Sequence, residues 1–185
     1  MLIGKEVLEL NGKDLLLRNP TKEDAAMLIQ YLRTTCGETP FLSKEEDEVQ
    51  ITLEEEREFI RQMNISEHSV MILAFLDGEF VGNCSFSGNN IKRQKHRVSM
   101  GIALFQKYTG MGIGKIMVEK LLQTAKEKGF EQMELEVAAE NERAVHLYKK
   151  LGFQIYGTFP DNRKYKDGTY GDTFWMMKKL IKNSR

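Results

Sequence analysis

The sequence has few cysteines, few prolines and no excess of charge of either sign, and each shortage excludes a class of protein. Its 185 residues contain only Cys36 and Cys84, too few for a disulfide-stabilised secreted scaffold or a cysteine-rich zinc site. The three prolines form no Pro-rich linker that would divide the chain. Lys plus Arg and Asp plus Glu both number 27, so the net charge is zero. That balance argues against a protein that mainly binds nucleic acid or an anionic membrane.

Long apolar runs and metal-ligand patterns are missing too. No apolar stretch approaches the roughly 18 residues that span a bilayer, and the first residues lack the pattern of a signal peptide. The histidines His68, His96 and His146 show no metal-ligand spacing. We therefore expect a cytoplasmic protein with no membrane, nucleic acid or metal partner. The length predicts a single domain over residues 1–185.

Hydrophobic periodicity and turn residues predict alternating strands and helices. Thr21 and Thr52 stand at capping-box spacing from Asp24 and Glu55, so each predicts a helix start. Strands are predicted at 13–18, 70–76, 79–87, 97–105, 131–138 and, as a pair, around 161–171, and helices from 21, from 52, over 113–128 and over 141–151. The order β-α-α-β-β-β-α-β-α-β-β indicates an α/β (α+β) protein with a mixed sheet flanked by helices, because the βαβ unit over 97–138 requires a parallel strand pair.

Residues 108–115, Tyr-Thr-Gly-Met-Gly-Ile-Gly-Lys, form a glycine-punctuated loop that opens a predicted helix. Alternate glycines let the backbone approach a ligand closely, and N–H groups at a helix N-terminus favour an anion, so a phosphate or pyrophosphate is the natural ligand. A Walker A loop is disfavoured because Thr109 replaces its first glycine and Ile116 follows Lys115. A dinucleotide fingerprint fails because Lys115 stands where its third glycine is required. An unliganded strand-to-helix turn is the alternative interpretation.

A second motif follows about thirty residues later, at 141–153, with the sequence Asn-Glu-Arg-Ala-Val-His-Leu-Tyr-Lys-Lys-Leu-Gly-Phe. Taken together, the two segments resemble the GNAT superfamily of N-acetyltransferases, which carries [QR]-x-x-G-x-[GA] and then N-x-x-A-x-x-x-Y-x-x-x-G-F. The resemblance spans about residues 13–180 and implies a GNAT-like acyl-CoA N-acyltransferase fold with a centrally splayed sheet. It also implies an enzyme that uses acetyl-CoA. Thr109 departs from the family's Gln or Arg, which implies somewhat weaker cofactor binding.

The same resemblance assigns site residues. Acetyl-CoA would pair with the strand backbone at Ala103, Leu104 and Phe105, as an added strand does. Its phosphates would lie on Thr109, Gly110, Met111, Gly112, Ile113, Gly114 and Lys115, and its arm would contact Asn141. Tyr148 would protonate the departing thiolate, since a phenol of pKa about 10 can protonate a thiolate whose conjugate acid is near 8.5. The alternative for Tyr148 is a core position on an ordinary apolar helix face.

The general base and the acceptor are less defined. No carboxylate occurs in 97–105, so Glu136, Glu38 and a chain of water molecules are open alternatives for the base. Residues 38–58 carry nine acidic and two basic side chains, a net charge of −7, in the region that forms the acceptor wall of the family. Glu38 and Phe41 are the acceptor-site candidates there. We expect a cationic primary amine, such as a polyamine, an aminoglycoside-like compound, a peptide N-terminus or a lysine. A solvated acidic helix is the alternative.

Direct acetyl transfer in a ternary complex is therefore the predicted reaction, and a non-catalytic acyl-CoA-binding sensor is the main alternative. A nucleotide enzyme is disfavoured by the failed fingerprints. The basic segment 92–97 is interpreted as a solvated turn. Homodimers are common in the family, and the apolar run at 174–177 is either a subunit contact or a buried strand. Cys84 is expected to be a packed thiol rather than a nucleophile.

Overall fold

The computed structural model describes residues 1–181, and this part of the chain contains eight strands and four α-helices. The strands are β1 (Glu6–Leu10), β2 (Lys13–Arg18), β3 (Ser69–Leu76), β4 (Glu79–Gly88), β5 (Arg97–Leu104), β6 (Gln132–Ala138), β7 (Gln154–Lys164) and β8 (Tyr170–Lys179). The helices are α1 (Ala25–Glu38), α2 (Leu53–Ile65), α3 (Ile113–Glu127) and α4 (Glu142–Lys150). The predicted α/β class with a mixed sheet flanked by helices is confirmed.

The strands are ordered β1-β2-β3-β4-β5-β6-β8-β7 in the sheet. The pair β5 and β6 is parallel, as the crossover through α3 requires, whereas β6 pairs antiparallel with β8. The β5–β6 ladder joins only three residue pairs, from Arg97–Gln132 to Ser99–Glu134. Beyond them β5 continues to Leu104, while β6 continues against β8 as far as Ala138. The parallel pair predicted from the βαβ unit over 97–138 is therefore present.

The described chain divides into two compact units. The first comprises Met1–Ser87 and Gly101–Leu121, and the second comprises Gly88–Met100 and the chain from Leu122 onward. The core of the first unit is an apolar cluster in which α1 and α2 pack on strands of the sheet. Its buried members are Ala25, Leu28, Tyr31, Ile60, Met63, Met71, Leu73 and Phe80. The prediction of a single domain stays a prediction.

The predicted helix boundaries rest on local hydrogen bonds that the structure contains. Thr52 begins α2 with a capping box, since its Oγ1 accepts from the N–H of Glu55 and the Glu55 carboxylate accepts from the N–H of Thr52. A similar box at Thr21 and Asp24 precedes α1. Gly129 follows α3 with a φ of 84°, the left-handed conformation expected of a helix-terminating glycine.

The predicted order lacked one strand. The chain begins with β1, which pairs with β2 in full register from Glu6–Leu17 to Leu10–Lys13. Its turn, Asn11-Gly12, has positive φ at both residues, 53° and 78°, which is the backbone of a tight hairpin turn. The strand was missed because its side chains alternate between half-buried and exposed, so its apolar pattern is weak.

Candidate active site

The glycine loop connects β5 to α3 in the first unit. A 3-10 turn at Gln106–Tyr108 follows β5, and then Gly110 and Gly112 adopt φ values of 83° and 90°. Residues with a side chain rarely adopt this left-handed backbone conformation, so glycine is needed at both positions. The first intrahelical bond of α3 runs from the N–H of Ile116 to the carbonyl of Gly112. The N–H groups of the preceding helix residues therefore have no intrahelical acceptor and are available to an anion.

Two side chains hold the turn before this loop. Thr109 donates its hydroxyl to the carbonyl of Gln106 at 2.6 Å, so this hydroxyl proton serves the 3-10 turn. Glu38, at the end of α1, accepts the N–H of Gln106 at 2.8 Å. The structure thus brings Glu38 to the start of the loop, where its carboxylate caps the turn. Its predicted roles as base or acceptor residue stay predictions.

The end of β5 is fixed by Tyr31, a buried residue of α1. The Tyr31 hydroxyl donates to the carbonyl of Ala103 at 2.6 Å and accepts from the N–H of Asn83 at 3.4 Å. Burial raises the pKa of Tyr31, so the hydroxyl stays protonated near neutral pH. No local sequence signal indicates this contact, because the donor and acceptor lie 72 residues apart.

The backbone groups of β5 divide between its two edges. The N–H of Phe105 donates to the carbonyl of Val81 at 3.0 Å, so Phe105 and, two residues earlier, Ala103 direct their polar groups toward β4. Successive residues of a strand direct these groups to opposite edges. The backbone N–H and carbonyl of Leu104 therefore lie at the other edge of β5. Of the three predicted strand residues, Leu104 is the one whose backbone faces away from β4.

Gly82 on β4 allows this close approach. A Cβ atom at Gly82 would lie 2.8 Å from the Cα of Leu104 and would also collide with the carbonyl of Ala103. A glycine inside a strand pattern indicates close backbone approach, so Gly82 is the signal in the sequence that points to this contact.

Three predicted residues, Asn141, Tyr148 and Glu136, lie in the second unit. Asn141 caps α4, since its Oδ1 accepts the N–H of Ala144 at 3.2 Å. Tyr148 is only 7% exposed and its ring packs edge-on against Phe153 at 5.8 Å. That environment agrees with the core position considered for Tyr148, and its catalytic role stays a prediction. Glu136 is an exposed residue of β6, opposite Trp175 of β8.

The acidic segment after α1 makes many local contacts. Glu48 accepts the N–H of Glu45, and Glu54 and Glu58 pair with Arg57 and Arg61. Hydrogen bonds from Arg61 and Gln62 lower the pKa of Glu58 to about 2. Phe41, in the same segment, is half-buried and its N–H donates to Oγ1 of Thr39. Much of the acidic charge therefore caps turns or forms ion pairs one helical turn apart.

Neither a metal-binding cluster nor a membrane-spanning helix occurs in the described part of the chain. Residues 1–181 contain no group of three or more His, Cys, Asp or Glu side chains placed to hold a metal ion. Within the same range, no helix has the length and apolar character needed to cross a membrane.

Comparison with known proteins gives one family. Residues 29–153 match the acetyltransferase (GNAT) family. A crystal structure of a GNAT-family acetyltransferase from Streptococcus pneumoniae superposes with a TM-score of 0.85 at 31% identity, covering 89% of this chain and 99% of that one. The structure of yncA, a putative acetyltransferase from Salmonella typhimurium with its cofactor acetyl-CoA, superposes with a TM-score of 0.80 at 17% identity, covering 92% and 96% of the two chains. The latter identity supports the fold alone.

Among curated proteins, the L-amino acid N-acetyltransferase AaaT of Escherichia coli (strain K12) is 27% identical over 108 residues. That match covers 57% of this chain and 65% of the relative. The N-alpha-acetyltransferase of Sulfurisphaera tokodaii is 33% identical over 95 residues, covering 46% of this chain and 57% of the relative. The chain thus spans between about half and two thirds of the length of these curated relatives.

Proposed function

Because the chain belongs to the GNAT acetyltransferase family, we propose that it transfers an acetyl group from acetyl-CoA to a primary amine. The observation that carries this proposal is the loop before α3, where two left-handed glycines precede a helix N-terminus with unbonded N–H groups. Such a site suits the pyrophosphate of CoA, because the N–H groups and the helix dipole both favour an anion.

The edge of β5 at Leu104 forms the second part of the proposed cofactor site. In this proposal the pantetheine arm pairs with the backbone of Leu104, since Ala103 and Phe105 direct their polar groups toward β4. Gly110, Met111, Gly112, Ile113, Gly114 and Lys115 hold the phosphates. Thr109 closes the preceding turn and supplies no long donor, so we expect the backbone to carry the phosphate contacts. Asn141 starts α4 and contacts the cofactor arm.

The chemistry requires a neutral amine and a protonated leaving group. A lysine-like amine of pKa about 10.4 costs about 4.6 kcal/mol to neutralise at pH 7. A base therefore takes the proton, the amine nitrogen attacks the thioester carbon, and the collapse of the tetrahedral intermediate breaks the C–S bond. In the proposal Tyr148 donates the proton to the departing CoA thiolate. Glu136 is the preferred base, with Glu38 or a water chain as alternatives.

The acceptor is proposed to be a cationic primary amine. The net charge of −7 over residues 38–58 attracts cations to the first unit, even though several of these carboxylates also cap turns or pair with arginines. The curated relatives are named L-amino acid N-acetyltransferase and N-alpha-acetyltransferase, and an amine acceptor agrees with both names. A polyamine, an aminoglycoside-like compound, a lysine or a peptide N-terminus fits this class.

The loop supplies the first test. Met111 lies between the two left-handed glycines, so Met111→Asp places a negative charge beside the bound phosphates without adding backbone strain at a glycine. We expect calorimetric titration to show saturable acetyl-CoA binding, weakened about tenfold or more by Met111→Asp because like charges repel. Met111→Asn introduces a side chain of nearly the same size as that of Asp but without the charge. This variant should bind acetyl-CoA nearly as tightly as the parent. Equal affinity of both variants would contradict the loop assignment.

Turnover separates the enzyme from the alternative, a non-catalytic acyl-CoA sensor. Thr109, in place of the family's Gln or Arg, and the lack of a carboxylate in 97–105 favour the sensor slightly. A panel of polyamines, lysine peptides and free amino acids with acetyl-CoA should give transfer to at least one amine. Tyr148→Phe should lower the turnover number with little change in acetyl-CoA affinity. Tight cofactor binding without transfer to any amine would support the sensor, and unchanged turnover in Tyr148→Phe would remove that residue from the mechanism.

A further inference from the structure

One face of the second unit carries a row of aromatic side chains beside two carboxylates. On β6, Met133, Leu135 and Val137 are buried, so Glu134 and Glu136 lie on the opposite face. In the antiparallel pairing, Trp175 of β8 is directly opposite Glu136. Directly opposed residues of neighbouring strands project to the same face, so the indole of Trp175 and the carboxylate of Glu136 are neighbours.

The indole forms the centre of a three-ring cluster. Tyr156 stacks on Trp175 with ring centroids 6.3 Å apart and an interplanar angle of 22°, and Phe159 approaches it at 5.9 Å and 50°. The β7–β8 register shifts between Ile155 and Gly157, so Tyr156 is an extra residue in the strand. This irregularity allows Tyr156 to stack on the indole. The exposed fractions of Tyr156 and Phe159 are 53% and 47%.

Gly157 provides the space for this arrangement. It lies opposite Trp175, and a Cβ atom there would stand 2.9 Å from Cε3 of the indole. The ring therefore lies directly over the glycine. A larger residue at this position would push the indole away and separate it from its two aromatic neighbours.

The two carboxylates beside the cluster differ in their partners. Glu134 is held by Arg97 at 2.9 Å and also accepts from Gln132. Glu136 makes no hydrogen bond or ion pair within residues 1–181. Burial raises the pKa of Tyr156, and the negative charges of Glu134 and Glu136 raise it further. The positive charge of Arg97 acts in the opposite direction and lowers it. The phenol ring is thus within electrostatic reach of both carboxylates, of which Glu136 alone is uncompensated.

We propose that Trp175, Tyr156, Phe159 and Glu136 form the binding site for the alkylammonium group of the acceptor. Aromatic faces attract a cation through the ring quadrupole, and an uncompensated carboxylate adds an ion pair. The aliphatic chain of the acceptor covers the exposed ring surfaces. The inference rests on the proposed function and narrows it to acceptors such as polyamines or lysine side chains, in which the charged nitrogen follows a chain of methylene groups.

The test uses the emission of Trp175, the single tryptophan of the chain, excited at a wavelength that the tyrosines do not absorb, so the signal reports on this cluster alone. The protein without acetyl-CoA is titrated with n-butylammonium chloride, and with n-butanol as the uncharged probe of the same chain length. We expect a saturable change in emission with n-butylammonium and none with n-butanol. Spermidine and a short lysine peptide then distinguish a free polyamine from a peptide acceptor by their relative affinities.

Variants check the assignment. Glu136→Gln should weaken n-butylammonium binding about threefold to tenfold, since it removes the ion pair and keeps the shape. Tyr156→Leu should weaken it similarly. Tyr170→Leu is the matched control, because Tyr170 is an exposed aromatic residue of the same unit that lies under Lys164, and its binding should equal that of the parent.

Two results would overturn this inference: the same emission change with n-butanol as with n-butylammonium, or unchanged affinity in Glu136→Gln. Neither experiment requires acetyl-CoA, so failure here is distinguishable from failure of the proposed transferase activity, which the Met111 variants and the amine panel test separately. In steady-state assays, Tyr156→Leu should raise the KM for the amine and leave acetyl-CoA affinity unchanged. A purely structural role would not separate the two substrates in this way.

Discussion

At the scale of single residues, Tyr31 holds the backbone of two strands with one hydroxyl group. It donates to Ala103 of β5, accepts from Asn83 of β4, and packs its ring edge-on against Phe80 and Phe105, each at 5.1 Å. The hydroxyl therefore links α1 to the strand end at which the cofactor arm is proposed to pair.

Replacing Tyr31 by Phe tests this link. The ring contacts remain and only the hydroxyl is lost, so Tyr31→Phe should lower the free energy of unfolding by about 1–2 kcal/mol. Urea denaturation measures the change. Tyr170→Phe, at an exposed position, should change stability by less than about 0.5 kcal/mol. A loss in Tyr31→Phe no larger than in this control would show that the hydroxyl bonds add nothing to stability.

Glu56 is a second residue whose environment leads to a prediction. It lies on α2 one turn before Ile60, is only 7% exposed, and burial raises its pKa above the ordinary value of 4.5. Because the folded protein then holds this proton more tightly than the unfolded chain, stability falls as the pH rises from about the unfolded value through the raised folded value. The ionised, buried carboxylate is a cost at neutral pH.

Glu56→Gln removes that cost. The variant should have a higher melting temperature than the parent at pH 7, and the difference should shrink toward pH 4, where the parent carboxyl is protonated. Thermal unfolding followed across this range measures both effects. Glu67→Gln, at an exposed position, is the control and should leave the pH profile unchanged. A melting temperature for Glu56→Gln below that of the parent at pH 7 would contradict the sign.

At the scale of secondary-structure elements, the beginnings and ends of helices could be predicted because their signals are local. The capping box of Thr52 and Glu55 and the left-handed Gly129 lie within a few residues of the helix ends that they define. Strand β1 was missed although Asn11-Gly12 is also a local signal. The irregularity at Tyr156 could not be predicted, because it depends on how β7 registers with β8.

Gly82 of β4 allows a test of how closely β4 packs against β5. Gly82→Ala would force a methyl group against the backbone of Ala103 and Leu104, so we expect a loss of about 2 kcal/mol or more in the free energy of unfolding. Gly101→Ala on β5 is the matched control, since nothing lies within 4 Å of its added Cβ. Its stability should be unchanged or slightly higher. Equal stability of the two variants in urea denaturation would show that β4 moves away from β5 without cost.

At the scale of the whole molecule, the described chain reaches its fold without a covalent crosslink. Cys36 and Cys84 are both buried and free, in agreement with the expectation that Cys84 is a packed thiol. The Cys84 thiol approaches the carbonyl of Met117 at 3.8 Å, and burial raises the pKa of both thiols. A buried thiol of raised pKa has little thiolate, which is the reactive form.

Thiol reactivity should therefore report on unfolding. In the native protein, Ellman's reagent should react with Cys84 only as fast as the protein opens, and both thiols should react at once in denaturant. The Cys36→Ala variant isolates the signal of Cys84. Rapid reaction of Cys84 in the folded protein would contradict its burial, and an unchanged melting temperature with added reductant should confirm that no disulfide contributes.

The sequence by itself determined the family and the glycine loop, because the glycines before α3 and the segment from Asn141 to Phe153 are contiguous patterns whose meaning does not depend on distant residues. Only the tertiary structure decided what individual side chains contact. Glu38 reaches Gln106 across 68 positions of the chain. The ring cluster around Trp175 exists only because β7 pairs with β8 in an irregular register, and Glu136 lies beside it because β6 pairs with β8. Helix caps and glycine turns are set by neighbours in the chain, whereas hydrogen bonds and ring contacts between strands are set by packing.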